Sequence, residues 1–97
     1  MEKEELSKKL YELSDKINQI VNDYATGETI IEKFVNDLWS VHFKLNSLVY
    51  KNLNIIQSDP KLTRLSRTLF QELFKHINQH YKSQKDQADS EDELENN

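Results

Sequence analysis

The chain has no cysteine, and only one glycine and one proline among its 97 residues. The lack of cysteine removes disulfides, thiolate metal sites and a cysteine nucleophile, and accords with a reducing compartment. One glycine and one proline are too few for a β or loop-rich protein, which needs turn residues at short intervals. No segment approaches the ~20 uninterrupted apolar residues of a membrane span. The opening MEKEELSKKL carries acids where a signal peptide would start with basic residues and pass into an apolar run. A soluble, cytoplasmic protein is therefore expected. With Gly27 alone there is no glycine loop to cradle a phosphate. No serine sits in a nucleophile-elbow context, and no paired carboxylates rise above surface charge. Neither catalysis nor a cofactor nor a resident metal is expected.

What is present is helix-forming sequence. A chain of 97 residues holds one domain. It hides a smaller share of its surface than a larger domain does, so its stability is marginal without a partner. The net charge of −4 is unevenly spread. Residues 1–82 hold 12 Lys and Arg against 11 Asp and Glu, whereas residues 83–97 hold one Lys and six acids. The acidity belongs to the end of the chain.

Leu6, Leu10, Leu13, Ile17, Ile20 and Tyr24 recur at alternating steps of four and three, a heptad seam that Val21 widens. At ~100° per residue the stripe covers about a third of a helix. Gly27 suits the left-handed conformation that ends helices. Thr29 and Glu32 have capping-box spacing, which predicts a second helix from Ile30. In that helix Ile30, Phe34, Leu38, Val41, Leu45, Leu48 and Ile55 form one flank, and Ile31, Val35, His42, Val49, Leu53 and Ile56 fill the centre. Trp39, Phe43 and Tyr50 stand as a ridge on the other flank. Together they occupy about two thirds of the circumference, so the helix must be covered on more than one side. Asp59 is a predicted N-cap with Pro60 at the first helical position. A third helix follows to about Lys82, with Leu62, Leu65, Leu69, Phe70, Leu73, Phe74, Ile77 and Tyr81 inward. The remainder, residues 83–97, has one leucine and no aromatic or β-branched residue, too little apolar surface to order itself. The expected fold is an all-α, antiparallel three-helix bundle over residues 1–82, with helices near 3–25, 29–56 and 60–82 and a disordered acidic tail at 83–97.

Few residues suggest chemistry. Glu72, His76 and His80 share a helix face, and His at i, i+4 is a chelating geometry. Both histidines also lie at the edge of the apolar stripe and in the last turns of their helix. There a positive charge is favoured by the dipole, and that reading prevails. His42, in the middle of the apolar arc, reads as a packing residue whose charging would be costly. Lys61, Arg64, Arg67, Lys75 and Lys82 form a basic face on the third helix. A nucleic acid is an alternative partner for it, although no aromatic residue is interleaved. A second possibility is that the acidic tail shields this face.

Two segments, LYELSDKI (Leu10–Ile17) and DPKLTRL (Asp59–Leu65), resemble pieces of the small cytosolic immunity proteins that protect bacteria from class II bacteriocins. The resemblance covers fifteen residues of leucine-rich helix. It implies a small helical bundle with a mobile C-terminus. That family has four helices where the pattern here predicts three.

The main expectation is a non-catalytic interaction module: an adaptor, small subunit or regulator. Trp39, Phe43 and Tyr50 would bind a protein partner or a second copy of the chain.

Overall fold

The computed structural model describes the backbone of residues 1–95 and the side chains of residues 1–80. Its regular structure is four helices: α1 (Lys3–Ala25), α2 (Ile31–Lys51), α3 (Leu53–Ser58) and α4 (Pro60–Glu95). The described residues contain no strand, and the fold is all-α.

α1, α2 and α4 touch one another pairwise, and the short α3 packs on α2 and α4. Lys9 and Lys16 lie beside Lys44 and Leu48, while Tyr24 stacks on Phe34 at 4.3 Å between ring centroids. α1 and α2 are therefore antiparallel. His42 meets Phe70 and Phe74, whereas Ile31 shares a groove with His76 and His80, so α4 also runs against α2. The core is the inner stripe of each helix. It comprises Leu6, Leu10, Ile17 and Ile20 of α1, then Phe34, Leu38, Val41 and Leu45 of α2. Ile56 of α3 and Leu62, Leu69, Leu73 and Ile77 of α4 complete it. The heptad seam expected of α1 forms this stripe from Leu6 to Ile20, with its member Leu13 and the flanking Val21 half-buried, while Tyr24, its expected last member, is 39% exposed.

Two of the helix boundaries follow their local chemistry. Gly27 has φ +79°, a value L side chains rarely adopt. The Gly27 N–H donates to Tyr24 O at 3.2 Å and the Glu28 N–H to Asp23 O at 2.9 Å. That pair of bonds is the Schellman ending, which satisfies carbonyls otherwise orphaned at a helix C-terminus. At the start of α4, Asp59 Oδ1 accepts the Lys61 N–H at 2.9 Å, with Pro60 in the first helical position as expected.

Other boundaries differ from expectation. α2 starts at Ile31 with Ile30 extended before it, and no side chain caps it. The Thr29–Glu32 capping box does not form, because Thr29 lies one residue before the capping position. The single helix expected over 29–56 is broken at Asn52 (φ −121°, ψ 26°), so there are four helices rather than three. The Asn52 side chain donates to Leu48 O at 2.9 Å, and its own N–H reaches only three residues back, to Val49 O at 3.2 Å. A short amide side chain that competes for backbone partners makes such a break inexpensive. The break turns Ile56 into the core, and the Thr63 hydroxyl then donates to Ile56 O at 2.6 Å, tying α3 to α4. The helix of α4 continues to Glu95, past the expected limit near Lys82. The expected disordered tail at 83–97 lies outside the residues described with their side chains.

Candidate docking face on the second helix

α2 is enclosed along one stripe and half-buried beside it, at Val35, Trp39, His42, Leu48 and Val49. Its buried residues, Phe34, Leu38, Val41 and Leu45, follow steps of four, three and four, one stripe turned toward α1 and α4. The opposite side of the same helix carries Phe43, 65% exposed, and Tyr50, 80% exposed. At 100° per residue both point almost directly away from the buried stripe. Trp39, the third member of the expected ridge, is half-buried, and its ring lies 6.2 Å from that of Phe43.

Trp39 and Phe43 belong to a larger aromatic group in the groove between α2 and α4. His42 is its hub, with ring centroids 5.5 Å from Trp39, 5.9 Å from Phe43, 5.9 Å from Phe70 and 5.2 Å from Phe74. Its Nδ1 is buried without a hydrogen-bond partner. His42 is thus a half-buried packing residue at the border between covered and open surface. Phe74 was expected to face inward, yet it is 41% exposed and extends the open aromatic surface from α2 onto α4. A helical wheel locates Phe74 on the apolar half of α4. It does not say how much of that half the neighbouring helices reach. Ile31 and Leu53, placed in the centre of the expected buried arc, are likewise 38% and 41% exposed.

The remaining candidates are dispersed. Lys61, Arg64, Arg67 and Lys75 are exposed along α4, and Lys82 lies outside the described side chains. Glu72 Oε2 stands 3.7 Å from His76 Nε2, and His80 is half-buried one turn further on. Among the described residues no three His, Cys, Asp or Glu are gathered so as to hold a metal ion. His76 and His80 instead border a groove of about 390 Å³ with Val21, Tyr24, Ile31 and Phe34. No helix among the described residues is long and apolar enough to cross a membrane.

A feature the sequence pattern did not disclose lies between α1 and α2. Lys9, Lys16 and Lys44 surround Leu13 and Leu48 in an open groove of about 340 Å³, with Glu12 the only acid lining it. Lys16, able to donate a hydrogen bond to the neutral Lys44 amine and repelling its charged form, presses Lys44 below the usual lysine range. Lys33, by contrast, is raised above it by its 2.9 Å hydrogen bond to Asp37 and that carboxylate's charge. The Lys16–Lys44 contact depends on the register of two helices, for which separate helical wheels hold no signal.

Comparison with protein families, curated proteins and solved structures finds no match to this chain.

Proposed function

We propose that the chain is a non-catalytic helical interaction module, an adaptor, small subunit or regulator that works by occupying the surface of another protein through the outer face of α2. The observation that carries this reading is the exposure of Phe43 and Tyr50, at 65% and 80%, on the side of α2 opposite its core stripe. Covering a large aromatic side chain is worth roughly 1.5–3 kcal/mol, and aromatic residues dominate interface energetics when they enter pockets. Trp39, Phe43 and Tyr50 are the anchors in this reading, and Phe74 widens the surface they offer.

The test is capture of partners on the immobilised chain, wild type against the Phe43→Ala, Tyr50→Ala double variant. Both side chains are largely exposed, so the variant should keep its helicity and thermal midpoint while losing the captured protein. Equal recovery from two equally helical proteins would remove the assignment.

A second reading is supported by one observation. The break at Asn52 brings the number of helices to four, the number in the bacteriocin-immunity proteins that Leu10–Ile17 and Asp59–Leu65 resemble. Expression in a bacteriocin-sensitive strain separates the two: protection favours the immunity reading, and unchanged sensitivity disfavours it.

A further inference from the structure

The outer face of α2 has a regularity beyond its three aromatic residues. Asn36, Ser40, Phe43, Ser47 and Tyr50 follow steps of four, three, four and three, and all five are exposed. They share one face, a strip with aromatic residues at two of the five positions and small polar ones at the other three, on the opposite side of the helix from the stripe that builds the core. Trp39 and Asn46 widen it on the side toward α4. None of the five residues is charged, in a chain of which 31% is charged, although the exposed Glu32 and Lys33 continue the face at its N-terminal end. Lys33, Lys44 and Lys51 lie about a quarter turn from Phe43 and edge the strip on the side of Ser40 and Ser47. Charge depletion together with aromatic enrichment is the composition of an interface centre, and between residues 36 and 50 the centre of the strip carries no charge to repel its own copy, the lysines lying at the rim.

The order of large and small residues adds a direction. Phe43 is the midpoint of the strip. A two-fold axis through it, with two copies of α2 antiparallel, sets Trp39 against Ser47 of the second copy and Tyr50 against its Asn36. Each large side chain then faces a small polar one, and the two Phe43 rings meet at the axis. A parallel pairing would stack serine on serine and leave hollow layers between aromatic ones. Antiparallel packing also opposes the two helix dipoles favourably.

We infer that the outer face of α2 is a self-complementary docking seam, whose occupant is the same seam of a second copy, antiparallel and centred on Phe43. This deepens the proposed function and rests on it. The anchors are few, at roughly 150–250 Å² per aromatic side chain, so the interface is small and association in the micromolar range is expected.

The absence of native cysteine makes cross-linking a clean test. Sedimentation of the full chain should show a concentration-dependent dimer, and Phe43→Glu should weaken it about tenfold or more at unchanged helicity. Under mild oxidation Phe43→Cys should link to itself. Asn36→Cys and Tyr50→Cys should link to each other when mixed, but neither to itself, since like positions then lie about 21 Å apart along the helices. Self-linking of Asn36→Cys would overturn the antiparallel arrangement. A dimer indifferent to Phe43→Glu would place the contact on another face. A chain that stays monomeric at several hundred micromolar would overturn the inference altogether. The proposed function would then be judged by its own assay, since loss of a different captured protein from the Phe43→Ala, Tyr50→Ala variant does not depend on self-association.

Discussion

The two sides of α2 share a spacing but differ in composition, one wholly apolar and the other aromatic and small polar, and they fare differently. The inner side, Phe34, Leu38, Val41 and Leu45, and the outer side, Asn36, Ser40, Phe43, Ser47 and Tyr50, both repeat at heptad spacing. The inner one is almost completely enclosed, with Leu38, Val41 and Leu45 at 0% exposure, while Phe43 and Tyr50 remain in water. Helical periodicity reports that a face is suited to burial. Whether that burial happens within the chain depends on the number and reach of its other helices. α1 brings a narrow stripe and α4 covers one side; between them they enclose the inner seam, half-bury Val35, Trp39, Leu48 and Val49 beside it, and leave the outer side open.

The largest effect should come from the enclosed side. Leu38→Ala or Leu73→Ala removes a side chain with 0% exposure, and should cost about 2–5 kcal/mol of unfolding free energy in urea denaturation. Phe43→Ser, five residues along the same helix from Leu38 but on its wet side, should stay within about 0.5 kcal/mol at low protein concentration. Equal losses for Leu38→Ala and Phe43→Ser in dilute monomer would erase the distinction between the two faces. A loss for Phe43→Ser that grows with protein concentration would sharpen it, because the aromatic ring would then stabilise by association.

His42 stands between the two sides. Its Nδ1 is buried without a partner, while its ring touches those of Trp39, Phe43, Phe70 and Phe74. His42→Phe keeps a ring in that group and removes the orphaned nitrogen, so a gain of about 1 kcal/mol is expected. Thermal unfolding checks it, and a loss of that size would mean that the nitrogen has a polar partner in solution.

Strong local signals were legible in the sequence before any packing was known. The α1 seam from Leu6 to Ile20, the left-handed Gly27 and the Asp59–Pro60 start each depend on a few nearby residues and form as expected, whereas Tyr24, at the end of that seam, stays 39% exposed. The break at Asn52 was hidden because Leu53, Ile55 and Ile56 continue the apolar spacing across it, and asparagine is tolerated in a helix as well as at its end. The capping box failed for a similar reason: Thr29 and Glu32 have the right spacing, but the extended residue before α2 is Ile30. Of the candidate docking residues, Phe43 and Tyr50 could be placed on a common flank from spacing alone. Phe74 could not, since its exposure depends on how far α2 extends over α4.

Asp59 links helix-end chemistry to the bundle. It caps α4 through the Lys61 N–H and lies 3.9 Å from the Lys3 ammonium at the start of α1. Asp59→Ala should cost about 1 kcal/mol, nearly all from the cap, because the Lys3 side chain is largely exposed and such pairs are worth little. Lys3→Met alone should then leave the urea midpoint almost unchanged; a loss matching that of Asp59→Ala would transfer the effect to the ion pair.

The smallest expected effect lies on the flank of α2 toward α1, where two lysines have opposite surroundings. Lys33 is raised above 10.5 by Asp37, so its contribution is fully present below that value and fades as pH climbs through the raised one. Lys44 is depressed below 10.5 by Lys16, so the folded chain holds that proton less tightly than the unfolded chain does. The fold is therefore disfavoured at neutral pH by this contact and recovers as pH rises through the depressed value toward 10.5. Lys44→Gln should raise the thermal midpoint slightly at pH 7 and low salt, whereas Lys33→Gln should lower it slightly. Both groups are exposed, so salt should shrink both differences, and at about 1 M, where screening acts over about 3 Å, little of either should remain. A Lys44→Gln gain that persists unchanged in high salt and at pH 10 would belong to packing against Leu48 rather than to the paired ammonium groups, and would remove repulsion as the character of the α1–α2 groove.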